Sequence, residues 1–150
     1  MPQKKLRKSQ QNKQILGRKS YFMGHFLEKI TAFYLHLKGY KILQKNFKCH
    51  LGEIDIIARK KRILLAIEVK SRAKIEFVKI DKEKFLKEEI LFETQKRRIE
   101  NALMFYLRQN QHYFRNYQIR FDLVVFDKSQ LNLLGILRFK CIHHFKNFWS

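Results

Sequence analysis

Two apolar runs meet across a short basic join: GEIDIIAR at 52–59 and ILLAIEVKSR at 63–72, linked through Lys60, Lys61 and Arg62. Both are short and rich in aliphatic and β-branched residues, and so read as two β-strands of one hairpin. A turn centred on Lys61-Arg62 makes paired positions sum to 123, which sets Asp55 opposite Glu68. That turn lacks the Asn-Gly type of signal that pins such a register. Asp55, Glu68 and Lys70 therefore stand where buried strand residues belong, and they constrain the chain more than any other feature.

Side chains alternate along a strand, so Glu68 and Lys70 point to one face and Asp55 can join them from the neighbouring strand. Two carboxylates held close in poor solvation are costly unless a cation compensates them. A hard divalent ion, Mg²⁺ or Mn²⁺, is the natural compensation for oxygen ligands. Lys70 beside it could orient or deprotonate a water and stabilise charge on a phosphate. That is the minimum equipment for metal-assisted phosphodiester hydrolysis. A weak edge salt bridge from Lys70 to either acid accounts for the same residues.

Around this hairpin the pattern gives one α/β domain over 20–150, preceded by a disordered basic tail at 1–19. A helix is expected from Ser20 to Lys38, with Met23, Leu27, Ile30, Tyr34 and Leu37 on one stripe, Ser20 as cap and Gly39 as stop. YKIL (40–43) and NFKCHL (46–51) read as short extended pieces. Positions 75–93 read as a loop with a short helix. A second long helix is expected at 94–110, striped by Gln95, Ile99, Ala102 or Leu103, and Tyr106. QIRFDLVVF (118–126) and ILRFKCIHH (136–144) read as the last strands.

Charge points to a polyanionic partner. Lysine and arginine number 33 against 13 acids, for a net charge of +20. Seven of the cations fall in the first 19 residues; the rest of the chain still carries 26 against 13. A tail alone does not explain this, and nucleic acid is the simplest partner; a lysine-rich genomic composition would give the same excess. No helix-turn-helix, zinc-finger or stacking-platform pattern appears, so contacts should be to backbone and shape. No apolar run approaches the ~20 residues of a membrane span. The two cysteines, Cys49 and Cys141, make no disulfide framework, so a cytoplasmic location is expected. Cys49-His50 with Cys141, His143 and His144 fit none of the usual zinc spacings.

GEIDIIA followed by an apolar strand ending EVKSR resembles the bipartite core of the PD-(D/E)XK nuclease superfamily. More closely, the chain is similar to the YraN family, small bacterial endonuclease-like proteins related to archaeal Holliday junction resolvases. Gly24, Glu28, Tyr34-Leu35, Gly39-Tyr40, Ile42-Leu43 and Asn46 follow the family's N-terminal spacing. Arg98-Ile99, Ala102, Tyr106-Leu107 and RFDLV (120–124) follow its C-terminal half. The resemblance thus covers about 20–148.

It implies a restriction-endonuclease-like mixed central sheet flanked by helices, and a Mg²⁺- or Mn²⁺-dependent endonuclease cutting DNA, at branched or junction structures. The rival is a non-catalytic nucleic-acid-binding protein that keeps the fold. Asp55 and Glu68 then resemble the metal ligands, joined by the Val69 carbonyl and Glu28, and Lys70 the catalytic lysine. Leu27 stands where the family usually has glycine. Gln95, Lys96, Arg97, Arg98 and Arg72 are the candidate nucleic-acid contacts, with Lys60, Lys61 and Arg62 placed near the same strand ends. Work on a two-fold junction would make a homodimer expected. Glu53 shares the face of Asp55 and reads as an outer ligand or a partner for a basic residue. Asp122 reads as a strand-end anchor.

Overall fold

The computed structural model describes residues 21–72 and 90–149, with backbone alone for 90–92. The basic tail, the Ser20 cap and most of the expected loop at 75–93 lie outside the described residues.

The first helix, α1, covers 21–37. Its fully buried line is Leu27, Thr31 and Leu35. This is one step round from the expected stripe: Ile30 and Tyr34 are half-buried, while Met23 and Leu37 face solvent. Thr31 is tolerated in the core because its hydroxyl donates to the Leu27 carbonyl at 2.8 Å. The helix ends at Gly39, whose φ of 78° suits a residue without Cβ. Gly39 N–H donates to the His36 carbonyl and Tyr40 N–H to the Leu35 carbonyl, with Tyr40 and Leu35 both buried. That is a Schellman stop with its hydrophobic contact. Lys60 Nζ adds a 2.6 Å bond to the Lys38 carbonyl, where a cation complements the helix dipole.

Five strands follow in the spatial order β1-β2-β3-β4-β5: β1 Lys41–Cys49, β2 Gly52–Lys60, β3 Ile63–Arg72, β4 Gln118–Asp127 and β5 Ile142–Trp149. Neighbours are antiparallel except β3 and β4, which are parallel. A parallel pair needs a crossover, and helix α2 (Ile90–Gln109) lies in it, followed by the short α3 (Gln111–Phe114). Ile99, Ala102, Leu103 and Tyr106 of α2 pack on one face of the sheet with Phe47, Ile57, Leu64, Ala66 and Val125. On the other face α1 packs with Ile56, Ala58, Leu65, Ile67 and Val124. The central strand is covered on both sides, which is why ILLAI is a continuous apolar run rather than an alternating one. This is the expected α/β class, a mixed sheet flanked by helices.

Two expected elements are redrawn. YKIL and NFKCHL join into the single strand β1, which carries a register irregularity between Ile42 and Gln44 and a left-handed Asn46, φ 52°. The last strand starts six residues later than the expected 136–144. Leu133–Leu137 instead form a short helix, α4, because the Asn132 side chain accepts from Gly135 N–H at 2.7 Å and caps it. The strand then begins only after Phe139 turns the chain at φ 52°.

The sheet has two distinct ends. At the hairpin end lie Lys61 and Arg62, the start of β4 and the residues after α2, tied by Gln118 N–H to the Arg62 carbonyl and Arg59 to Tyr117. At the opposite end lie the β1–β2 turn, the last residues of β3 and the first turns of α2. No described helix is long and apolar enough to cross a membrane.

Candidate functional site

The β2–β3 ladder runs from Lys60–Ile63 to Ile56–Ile67, which is the register that the Lys61-Arg62 turn predicts. It stops one step before Asp55 and Glu68. The next bond is made by a side chain: Val69 N–H donates to Asp55 Oδ2 at 2.7 Å. β3 meanwhile stays paired with β4 as far as Arg72–Asp127. β2 changes face at this level too, since Ile54 joins the cluster of Ile57 although alternation would put them on opposite sides. The left-handed Asn46 lies across from that change, between the pairs Lys45–Ile56 and Phe47–Ile54. The strands therefore part at the carboxylates, and a polar notch opens in an apolar sheet.

Three groups meet in the notch. Lys70 Nζ lies 3.0 Å from Glu68 Oε1 and donates to Gln95 Oε1 at 2.9 Å. Gln95, from α2, donates through Nε2 to the same Glu68 oxygen at 2.6 Å. The amide thus presents its oxygen to the ammonium and its nitrogen to the carboxylate, the one orientation that satisfies both. Glu68 is only 5% exposed and Asp55 is half-buried. Burial, and then the neighbouring Glu68 charge, push the Asp55 carboxyl up to about 8, against the opposing bond from Val69 N–H. Burial raises Glu68 as well, outweighing Lys70. Two carboxylates that resist ionisation side by side are a site whose charge one ammonium leaves under-compensated.

Glu28 reaches this neighbourhood from α1. Its side chain is 14% exposed and accepts from His25 Nδ1 at 3.2 Å, and its charge also works to raise Asp55. Leu27, in the place of the family glycine, is a core residue of α1. Among the described residues no three His, Cys, Asp or Glu side chains are arranged to hold an ion together. The donor pair is Asp55 and Glu68, with Glu28 at longer range. Val69 enters through its backbone N–H, its side chain half-buried in the α1-side core.

The candidate phosphate contacts divide by position. Gln95 is in the cluster. Lys96 is half-buried, and Arg97 and Arg98 are exposed on the first turns of α2. Arg72 is half-buried at the end of β3 and donates to the Ser71 carbonyl at 3.1 Å. Lys60, Lys61 and Arg62 belong to the hairpin end, five or more residues up β2 from Asp55, or roughly 15 Å at strand rise. They cannot share a phosphate with the carboxylates, which corrects their expected placement. Next to Gln95 a cleft of about 670 Å³ opens between the β1–β2 turn and α2, lined by residues including His50, Leu51, Gly52, Thr94 and Arg98. It adjoins the carboxylate notch rather than containing it.

Glu53 pairs with Lys48 at 2.9 Å on the exposed surface. Asp122 is fully buried and accepts two 2.8 Å bonds from Arg120, one from His144 Nε2 at 2.8 Å and one from Asn147 N–H at 2.9 Å. Burial works to raise that carboxyl, but these donors outweigh it and hold it below the usual range. It ties β4 to β5, the anchoring role expected of it. The bridging role of Gln95 was not legible, although its place four residues before the buried Ile99 aims it at the sheet. His25 was missed as well; its signal is the i,i+3 spacing to Glu28.

Residues 27–126 match the model of an uncharacterised protein family, UPF0102. A UPF0102 protein of Clostridium perfringens is 41% identical over 118 residues, covering 75% of this chain and 89% of its own length. One from Caldanaerobacter subterraneus is 40% identical over 102 residues, 68% of this chain and 76% of the relative. One from Francisella tularensis is 37% identical over 111 residues, 73% and 88% respectively.

Proposed function

The chain belongs to the uncharacterised protein family UPF0102, the YraN family, and we propose that within it the protein is a metal-dependent endonuclease hydrolysing DNA phosphodiester bonds. The observation that carries this reading is the Asp55–Glu68 pair: two carboxylates both raised by burial, Asp55 further by the Glu68 charge, in a notch where the strand ladder has been given up. A purely structural acid would be expected to resemble Asp122, which is held ionised by a full set of donors. Asp55 and Glu68 have the opposite electrostatics, and that donor set fits a divalent cation with oxygen ligands.

Asp55 and Glu68 would hold the ion, Asp55 being fixed by Val69 N–H, with the Val69 carbonyl and Glu28 as further donors. A bound Mg²⁺ or Mn²⁺ supplies neutralisation of the pair and Lewis-acid polarisation of a phosphoryl oxygen. Lys70 contributes a donor at the notch that orients the attacking water and meets charge developing on the phosphate. Gln95 keeps Lys70 and Glu68 in register, so the ammonium does not swing away when substrate enters. The exposed Arg97 and Arg98 offer phosphate contacts at the same end, in a strongly basic chain.

A labelled panel of duplex, single strand, flap and four-way junction, incubated with Mg²⁺ or Mn²⁺, tests this. Metal-dependent cutting that disappears in both Lys70→Ala and Asp55→Ala is the expected result. One observation favours the rival: Glu68 is already bonded by Lys70 and Gln95, and among the described residues no third acid completes a metal-holding group. Salt-sensitive binding in all three proteins, with no cutting by any of them, would establish that binding-only reading.

A further inference from the structure

The cleft beside the carboxylates carries chemistry that the metal notch does not use. Its volume of about 670 Å³ lies within the range of small-ligand clefts. A cleft of this size holds a small ligand or a single nucleotide rather than a duplex. One wall is the tip of the β1–β2 turn, which presents exposed His50 and a Leu51 that is 40% exposed. Phe105 meets the His50 ring at 89° with centroids 5.2 Å apart and fixes the direction of the imidazole. The other wall is α2, with Thr94 and the cationic Arg98. Gly52 seats the turn on the helix, because a Cβ there would collide with the Arg98 carbonyl.

Gln95 belongs to both places. It lines the cleft and also bonds Glu68 and Lys70. A strand whose phosphate reaches the carboxylates and continues past Gln95 enters the cleft. There it meets a flat ring, an apolar side chain and a guanidinium, which suit an unstacked base and its phosphate. Lys48 and Glu53, paired with each other at 2.9 Å, also line the cleft.

We infer that this cleft is a subsite for an unpaired nucleotide flanking the scissile phosphate, so that the substrate carries a single-stranded segment at the point of cutting. The inference rests on the nuclease reading of Asp55 and Glu68. Its test is binding in EDTA, where no cleavage is needed. The fluorescence anisotropy of a labelled single strand and of a blunt duplex of the same sequence is read with the full chain, with His50→Ala/Leu51→Ala and with His50→Phe.

The double variant is expected to bind the single strand about 10-fold or more weakly, the loss typical of one stacked base, and the duplex within about twofold. His50→Phe, which keeps a stacking face, should bind both as the wild type does. A melting temperature within about 2 °C of wild type verifies that the variants are folded. Undiminished single-strand binding by the double variant, or equal losses on both ligands, would overturn the subsite. If these binding differences appear in a chain that cuts nothing in the panel, the nuclease reading fails while the nucleotide subsite stands.

Discussion

Replacing Asp55 by asparagine should make the metal-free protein more stable. The Asp55 carboxyl is pushed from 3.8 to about 8 by burial and by Glu68, and each unit corresponds to about 1.4 kcal/mol. Ionising it in the fold therefore costs at most roughly 5–6 kcal/mol. The replacement recovers only part of this. The amide also loses water, and the bond from Val69 N–H survives by passing to the amide oxygen. A net gain of about 1–3 kcal/mol, or roughly 3–9 °C in a chain of this size, is expected near pH 8. The sign follows from the direction of the shift. With the folded value above the unfolded one, the contribution of this carboxyl is fully present below about pH 4 and is lost as pH rises towards 8. The gap to the variant should open across that window. Thermal melts in EDTA between pH 4.5 and 8.5 read it directly. Added Mg²⁺ should then raise the wild type, by about 2.7 kcal/mol at a hundredfold excess over Kd, and leave the variant where it was. An Asp55→Asn protein less stable than wild type at pH 8 in EDTA would refute the reasoning. Asp55 would then be a stabilising partner of Lys70 and Val69, not a strained ligand.

Gln95→Ala should cut the rate of any cleavage by about 10- to 100-fold while leaving the thermal shift on metal addition in place, because it frees Lys70 without removing a carboxylate; single-turnover rates beside metal-induced melting shifts check this. Asp122→Asn should destabilise the fold by about 3–5 kcal/mol, since the amide keeps one acceptor oxygen but removes the charge opposite the partly buried Arg120 and turns an NH2 donor towards donors that the second oxygen served. The Asp122 carboxyl is lowered, so its contribution is present above the unfolded value near 4 and fades as pH falls; urea melts of wild type and variant should converge at acid pH. Gly52→Ala should cost about 1–3 kcal/mol and displace the β1–β2 turn from α2, because its Cβ meets the Arg98 carbonyl; denaturant midpoints would register the change.

Much of this was legible because the strongest signals are local. The apolar runs of β2 and β3 and the two-residue turn between them gave the strands and the register that brings Asp55 towards Glu68. The stripe of Ile99, Ala102, Leu103 and Tyr106 gave the buried face of α2. What failed depends on packing across the sequence. Thr31 looks polar in the chain, yet its hydroxyl is satisfied within α1, and that rotates the buried face away from Met23 and Leu37. The alternation of ILRFKCIHH suggested a strand, but the Asn132 cap and the turn at Phe139 held its first half in other conformations. Lys60, Lys61 and Arg62 are close to the site in sequence and far from it along the strand. The bridge made by Gln95 needs the crossover helix to land beside β3, and one polar residue in a Gln-Lys-Arg-Arg run carries no sign of that.

The central claim is that the half-buried Asp55 and the buried Glu68 are kept together to hold a divalent ion, and calorimetric titration of the metal-free chain with Mn²⁺ tests it most directly. A single saturable site, lost in Asp55→Asn and in Glu68→Gln but retained in Lys70→Ala, is the predicted result. Absence of saturable binding by the wild type, or binding that survives in both carboxylate variants, would contradict the account.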